Sequence, residues 1–188
     1  MVKTLFIEEQ IDYVGTQLAP HWIYTKFGLP GDAIVAFLGQ ARVPIDNMVD
    51  LKDRMENAFI YSPLMLHFII EHFDSNLELA VYRQRIFMVA IKEELEQFEI
   101  PVSRRGDDLY VSKGKLSVSI ATRSLVSTLI HTGLNIETKD TPVNTAGLGQ
   151  LGIIDVKSFA ENVMLRYKRE LEQIYEARCK VRGLAFEG

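Results

Sequence analysis

The sequence predicts an α+β protein with a mostly antiparallel central sheet covered by helices. Strand-like and helix-like runs follow one another in the order strands, helix, strands, helix. Neighbouring strands are joined by turns too short for a crossover helix, which forces antiparallel pairing. The third observation concerns organisation. The chain has 188 residues, 47% hydrophobic and 24% charged, with no internal repeat, low-complexity tract or linker-like run. Residues 1–188 therefore read as one domain with a substantial core.

V-K-T-L-F-I-E, from Val2, reads as a short strand. Residues 16–27, T-Q-L-A-P-H-W-I-Y-T-K-F, spread their apolar side chains as a helix does, with Thr16 placed as N-cap, Pro20 near the first turn and Gly28 just past the end. L-P-G-D is a turn, and A-I-V-A-F-L-G, from Ala33, is a strand too apolar to face water on either side. M-V-D-L-K-D-R, from Met48, alternates apolar and charged residues as a half-buried strand does. L-M-L-H-F-I-I-E-H-F, from Leu64, is a buried strand rich in aromatic and β-branched residues. A helix is expected over residues 77–98, capped by Ser75 or Asn76, with Leu79, Tyr82, Ile86, Val89 and Glu93 at helical spacing. I-P-V-S, a hairpin at 106–122, the strand S-T-L-I-H-T-G-L-N-I and a polar loop at 138–152 follow. Residues 156–181 form a long amphipathic helix with Phe159, Val163, Leu171 and Ile174 as candidate core positions.

Charge and composition exclude several classes. A net charge of -4 argues against a general grip on nucleic acid, which needs a concentrated basic surface. No apolar run reaches the ~20 residues of a membrane span. The opening residues run from a short strand-like core into acids, unlike a signal peptide, so a cytoplasmic protein is expected. The single cysteine, Cys179, excludes an internal disulfide and offers no thiolate zinc motif.

The stretch with chemical content is G-D-D-L-Y-V-S-K-G-K-L-S-V-S-I-A-T, from Gly106. Its turn is placed around residues 112–114, with Gly114 suited to positive φ. Period-2 alternation then puts Leu116, Val118 and Ile120 on one face and Lys115, Ser117, Ser119 and Ala121 on the other. A lysine at the rim with small hydroxyl residues behind it suits a carboxylate or phosphate-bearing ligand. The same pattern also describes a plain hairpin whose lysine and serines face water.

D-L-Y-V-S-K-G-K-L, from Asp108, resembles the segment of biotin protein ligases in which W-P-N-D-L-Y leads through a short turn to K-L-A-G-I, without a gap between acid and lysine. H-T-G-L-N-I, from His131, resembles the G-I-N strand that pairs next in those enzymes. The whole chain also resembles an uncharacterised, mainly archaeal family, a domain of unknown function grouped with biotin and lipoate ligases and class II aminoacyl-tRNA synthetases. The ligase resemblance implies a small carboxylic acid and ATP with Mg²⁺ as ligands, an acyl-adenylate intermediate, and acyl transfer. Lys115 would take the catalytic role, stabilising charge on the acyl carboxyl and phosphate oxygens. Asp107 and Asp108 would face the phosphate region, with Arg104 and Arg105 at the same mouth for guanidinium contacts. Asn135 and His131 come from the matching strand. The glycine-arginine loop of those ligases corresponds here to L-G-Q-A-R-V-P, which keeps Gly39 and Arg42.

Among the remaining histidines, His67 and Glu71 fall on one strand face and His72 on the other, so His67 and His72 are not a metal pair. His67 and Glu71 are expected to hydrogen-bond each other or to act as an acid/base pair. The leading functional reading is a protein that binds a small carboxylate or its adenylate and transfers the acyl group. Its rivals are a non-catalytic small-molecule or nucleotide binder on the same fold and an assembly subunit. A homodimer is expected from the ligase resemblance and from the edge strands of an open sheet.

Overall fold

The computed structural model describes residues 1–56, 60–139, 141 and 143–183. In chain order it contains β1 (Lys3–Phe6), α1 (Trp22–Phe27), β2 (Ala33–Val43), a 3-10 turn (Ile45–Asn47), α2 (Leu51–Met55), β3 (Ile60–His72) and α3 (Leu77–Glu96). Strands β4 (Val102–Arg105), β5 (Asp108–Val111), β6 (Gly114–Lys115), β7 (Ser117–Arg123) and β8 (Thr128–Asn135) precede the last helix, α4 (Val156–Cys179). The strands make a five-stranded sheet, β1-β2-β3-β8-β7, and a three-stranded one, β4-β5-β6. β1 runs parallel to β2, and every other strand pairing is antiparallel. This is the α+β architecture the sequence predicts.

The middle of the large sheet is buried on both faces, as the apolar runs of β2 and β3 require. On one face Ile34, Leu66, Phe68 and Ile70 pack under α3 and α4, against Phe87, Ile91, Phe159 and Tyr167. Phe87 meets Phe68 and Tyr167 edge-on at ring distances of 5.1 and 5.2 Å, the favoured aromatic geometry. On the other face Val35, Phe37, Ile69 and Leu129 are covered by Ile7, Ile11, Tyr13, Leu18 and Ile23. The chain beyond β1 continues along the edge of β2: the Ile11 and Tyr13 amides donate to the Leu38 and Gln40 carbonyls (2.8 Å each).

Four local expectations are corrected. The helix expected at 16–27 is only α1, because His21 sits in the left-handed region (φ 64) and donates its amide to the Glu71 carboxylate (2.8 Å) instead of continuing a helix. Thr16 caps nothing there, while Gly28 ends the helix in the left-handed conformation as expected. The strand expected from Met48 is helix α2, whose N-cap Asp50 accepts from the Lys52 and Asp53 amides. In α3 the buried face is Ala80, Gln84, Phe87, Met88, Ile91 and Leu95, and Leu79, Tyr82 and Val89 are exposed. Buried Gln84 and Glu94 interrupt the true core stripe, so the outer stripe looked more apolar. In α4, Phe159 and Val163 are buried and Leu171 packs at the margin, but Ile174 is exposed and Tyr167 fills the core.

Gly39 lies where the Ile11 backbone crosses β2. A Cβ there would stand 1.9 Å from the Ile11 carbonyl oxygen, backbone that cannot swing aside. Gly39→Ala should therefore cost at least about 3 kcal/mol, the upper end for overpacking. Urea unfolding checks this, and an unchanged midpoint would show that residues 11–13 are not held where the structure puts them.

Candidate functional site

The hairpin of the sequence is divided between the two sheets. β6 belongs to the small sheet and β7 to the large one, with Leu116 as the joint. The positive φ of its turn falls on Ser112 (φ 55) rather than Gly114. Gly114 has another reason to be glycine: a Cβ would lie 2.7 Å from the Ala146 nitrogen, where residues 144–146 run against the strand.

That close approach fixes Lys115. Its amide donates to the Asn144 carbonyl (3.0 Å), and its carbonyl accepts from the Ala146 amide (3.0 Å) and from Asn135 Nδ2 (3.2 Å). The next residue is tied as firmly, Leu116 N–H to the Leu109 carbonyl (2.8 Å) and Asn135 N–H to the Leu116 carbonyl (3.0 Å). The Lys115 Nζ stands 2.9 Å from Asp108 Oδ1, with side-chain exposures of 31% and 26%. Tyr110 donates its hydroxyl to the other oxygen of Asp108 (3.3 Å). Asp53 of α2 lies within the field of the same ammonium: burial and its neighbour Asp50 raise its pKa, and Lys115 opposes them. An ammonium has three protons to give. Among the described residues Asp108 is its one ion-pair partner, so the group keeps donor capacity for an incoming carboxylate.

The other expected site residues are distributed differently. Asp107 points away from Asp108: it pairs with Arg85 of α3 (2.8 Å) and accepts from Gln84 (3.2 Å). The two carboxylates do not form a joint metal or acid/base site. Ser117 and Ser119 do not stand behind Lys115, because the irregular Leu116 breaks the alternation. Ser117 is buried and its Oγ accepts from the Leu109 amide (2.8 Å). The Ser119 Oγ accepts from Gln84 (3.0 Å) and meets Thr132 Oγ1 (2.9 Å). Gln84 thus pins the hairpin under α3, which is why a polar residue occupies the helix's inner face. Arg104 and Arg105 are exposed. The first donates to the Gly106 carbonyl (2.6 Å) and the second lies over the Tyr110 ring, 5.2 Å from its centre. Arg42 stands on β2 opposite Tyr61, walling a groove of about 500 Å³ with Val43, Pro44, Ile45 and Ile60.

The segment that corresponds to the glycine-arginine loop is sheet ladder. β2 runs through Gly39 to Val43, the Gln40 amide donates to Asp12 Oδ1 (3.1 Å) and the Arg42 amide to the Tyr13 carbonyl (3.0 Å). These amides are committed and cannot cradle phosphate, so this stretch does not fit a nucleotide. Among the described residues no group of three or more His, Cys, Asp or Glu could hold a metal ion.

His131 is enclosed by the protein. Tyr13 stacks on its ring at 3.7 Å, and its Nε2 is 3.1 Å from Nδ1 of His67, whose Nε2 is 3.2 Å from the Gly39 carbonyl. A carbonyl only accepts, so His67 carries its proton on Nε2 and His131 donates to His67 Nδ1. His67 therefore bonds to His131 and Gly39, not to Glu71, which instead accepts from Ser127 (2.7 Å) and His21. His72 occupies the opposite face as expected, between Asp32 (3.0 Å) and Tyr167 (2.9 Å). Sequence reading missed Asp53, Gln84 and Tyr13. Only Asp53 had a signal, in the capping pattern from Asp50, since the other two act through contacts distant in sequence.

The fold is that of the biotin and lipoate protein ligases. It superposes on a biotin protein ligase from Aquifex aeolicus in complex with biotin at a TM-score of 0.62, 16% identity, covering 93% of this chain and 72% of that one. A putative lipoate protein ligase from T. acidophilum with bound lipoic acid matches at 0.60, 11% identity, over 92% and 86%. Residues 2–182 match DUF366, a domain of unknown function, and the chain belongs to that family. An uncharacterized protein of Methanocaldococcus jannaschii, MJ0805, is 36% identical over 179 residues, 92% of this chain and 81% of that protein. A protein of unknown function from Pyrococcus horikoshi has the same structure throughout, with a TM-score of 0.92 and 38% identity over 98% and 100% of the two chains. No helix among the described residues is long and apolar enough to cross a membrane.

Burial lowers the pKa of His67 from 6.5 to about 3, and burial with the neighbouring His67 holds His131 well below its usual value. The unfolded chain takes up these protons below about pH 6.5 and the folded chain does not, so stability present above that pH is lost as the pH falls. Asp32 acts lower down. Burial raises its pKa, but the His72 and Phe73 hydrogen bonds and the His72 and Arg83 charges lower it further, to about 2. Its contribution is lost as the pH falls through the ordinary carboxylate range towards about 2. The urea midpoint should drop between about pH 6.5 and 4.5, with both imidazoles neutral by NMR throughout. Imidazoles that titrate near 6.5 would contradict the buried pair.

Proposed function

We propose that this protein binds a small carboxylate, free or as its acyl-adenylate, with Lys115 as the central contact and Asp108 and Asn135 as its supports. The observation that carries this reading is the Lys115 junction: a half-buried ammonium on a backbone clamped from β5, β8 and residues 144–146. A charge held this way needs little reorganisation to meet an anion. Solved structures of the same fold contain biotin, lipoic acid or ATP, which supports a small acid as the ligand class. An arriving carboxylate competes with Asp108 for the ammonium, and Asp108 then becomes free to accept from a donor group on the ligand. The catalytic form of the proposal is an ATP-dependent acyl ligase in which Lys115 stabilises charge on the acyl oxygens.

A second reading, a non-catalytic binder on the same fold, is favoured by one feature: the amides of residues 40 and 42 are committed within the protein. Fold alone does not choose between them.

Titration calorimetry with biotin, lipoate and amino acids, paired with acid-dependent exchange of pyrophosphate into ATP, separates these readings. Lys115→Ala should weaken binding of the responding acid by ~1.5–3 kcal/mol, the scale of a charge-assisted hydrogen bond, with little change in thermal stability. Lys113→Ala, in the exposed turn, should leave both unchanged. Binding without exchange selects the non-catalytic reading. Binding that survives Lys115→Ala undiminished removes the site itself.

A further inference from the structure

We propose that the acid held at the Lys115 junction is an amino acid, whose ammonium group replaces Lys115 as the partner of Asp108. This rests on the reading of Lys115 as a carboxylate contact and names the ligand class for that site. The ladder of the small sheet sets Arg105 opposite Asp108 and Tyr110 opposite Lys115. Residues paired across strands share a face, as do residues two apart along one strand, so Arg105, Asp108, Tyr110 and Lys115 all stand on one side. The other side enters the core through Val102 and Leu109. One small surface therefore offers charges of both signs. Asp108 is aimed within it: Oδ1 faces the Lys115 Nζ at 2.9 Å, and Oδ2 takes the Tyr110 hydroxyl at 3.3 Å. The Arg105 guanidinium lies over the Tyr110 ring, 5.2 Å from its centre.

The existing ion pair decides which acids fit. Lys115 and Asp108 are both largely covered, so removing the partner of either leaves a charge short of solvent and destabilises the complex. A plain carboxylate that takes the Lys115 ammonium displaces Asp108 and then lies beside it, two like charges close together in a half-buried place. Asp53 of α2, within the field of Lys115, adds to the cost for an unaccompanied anion. An α-amino acid avoids this. One carbon separates its ammonium from its carboxylate, so its two charges match a lysine–aspartate pair whose charged atoms are 2.9 Å apart. The carboxylate meets Lys115 and the ammonium meets Asp108 Oδ1. Two charge-assisted hydrogen bonds then stand where there was one, and no charge is left unpaired. Lys115 recognises the acid, and Asp108 sets which acids are accepted.

Titration calorimetry on the full chain tests this. The protein amino acids are screened, and the tightest is compared with the same acid lacking only its amine, with biotin and with lipoate. The amino acid should bind at least ~10-fold more tightly than its deaminated counterpart, the lower end of the scale of one charge-assisted hydrogen bond. Asp108→Asn should abolish that preference, weakening the amino acid while leaving the deaminated acid bound as well as before or better. Circular dichroism checks that the variant is folded. A deaminated acid, biotin or lipoate that binds through Lys115 as tightly as any amino acid overturns this inference and leaves the carboxylate reading standing. An Asp108→Asn protein that loses both acids alike also overturns it, since Asp108 then only supports the structure. If neither amino acids nor the other acids bind, both readings fall together.

Discussion

Three strands, β2, β3 and β8, are buried on both faces, and the rest of the structure is arranged to cover them. Helices α3 and α4 close one face; residues 7–29 close the other. Every polar group on these strands must then find a partner inside the protein, because water does not reach it. His67 finds His131 and the Gly39 carbonyl, Glu71 finds Ser127 and the His21 amide, and His72 finds Asp32 and Tyr167. These pairs link each strand to its cover. They also hold His21 in a left-handed conformation, and burial keeps His67 and His131 neutral.

The proposed ligand contact, Lys115, lies outside these covered strands. There the small sheet meets the large one at Leu116, and the chain at residues 144–146 closes against Gly114. Backbone bonds converge on Lys115 from three directions, while its side chain holds one carboxylate and stays partly open. This combination distinguishes a positioned cation from an ordinary surface lysine, whose flexible stem loses its freedom on meeting an anion. The biotin and lipoate ligases share the fold at 16% and 11% identity, so the shared feature is the architecture, and what is bound depends on local residues. At Gly39 the Ile11 backbone lies against the strand and leaves no room for a side chain.

α3 serves both sides of this design. Through Gln84 it holds Asp107 and Ser119, and with them the hairpin that presents Lys115. Its outer stripe, with Leu79, Tyr82 and Val89, faces away from the sheet. Arg85, paired with Asp107, borders the groove on that side.

The sequence by itself determined the class of fold, the buried strands, the long helices and the cap at Asn76. These follow from hydrophobic period and capping chemistry, which act over a few residues. It also singled out Lys115, Asp108 and Asn135, which the fold brings into contact with one another. What only the tertiary structure decided is where each side chain points. One irregular residue, Leu116, turned Ser117 and Ser119 from the lysine towards α3. In α3 the helical spacing of Leu79, Tyr82, Ile86 and Val89 marks the outer stripe, while Gln84 and Glu94, polar in the sequence, are buried by partners 23 or more residues away. Met48 to Asp53 alternates like a strand, yet Asp50 caps a helix there, since two backbone amides satisfied at once outweigh a weak period. Side-chain direction at such points is set by hydrogen-bond partners brought in from elsewhere in the chain, and a local pattern carries no record of them.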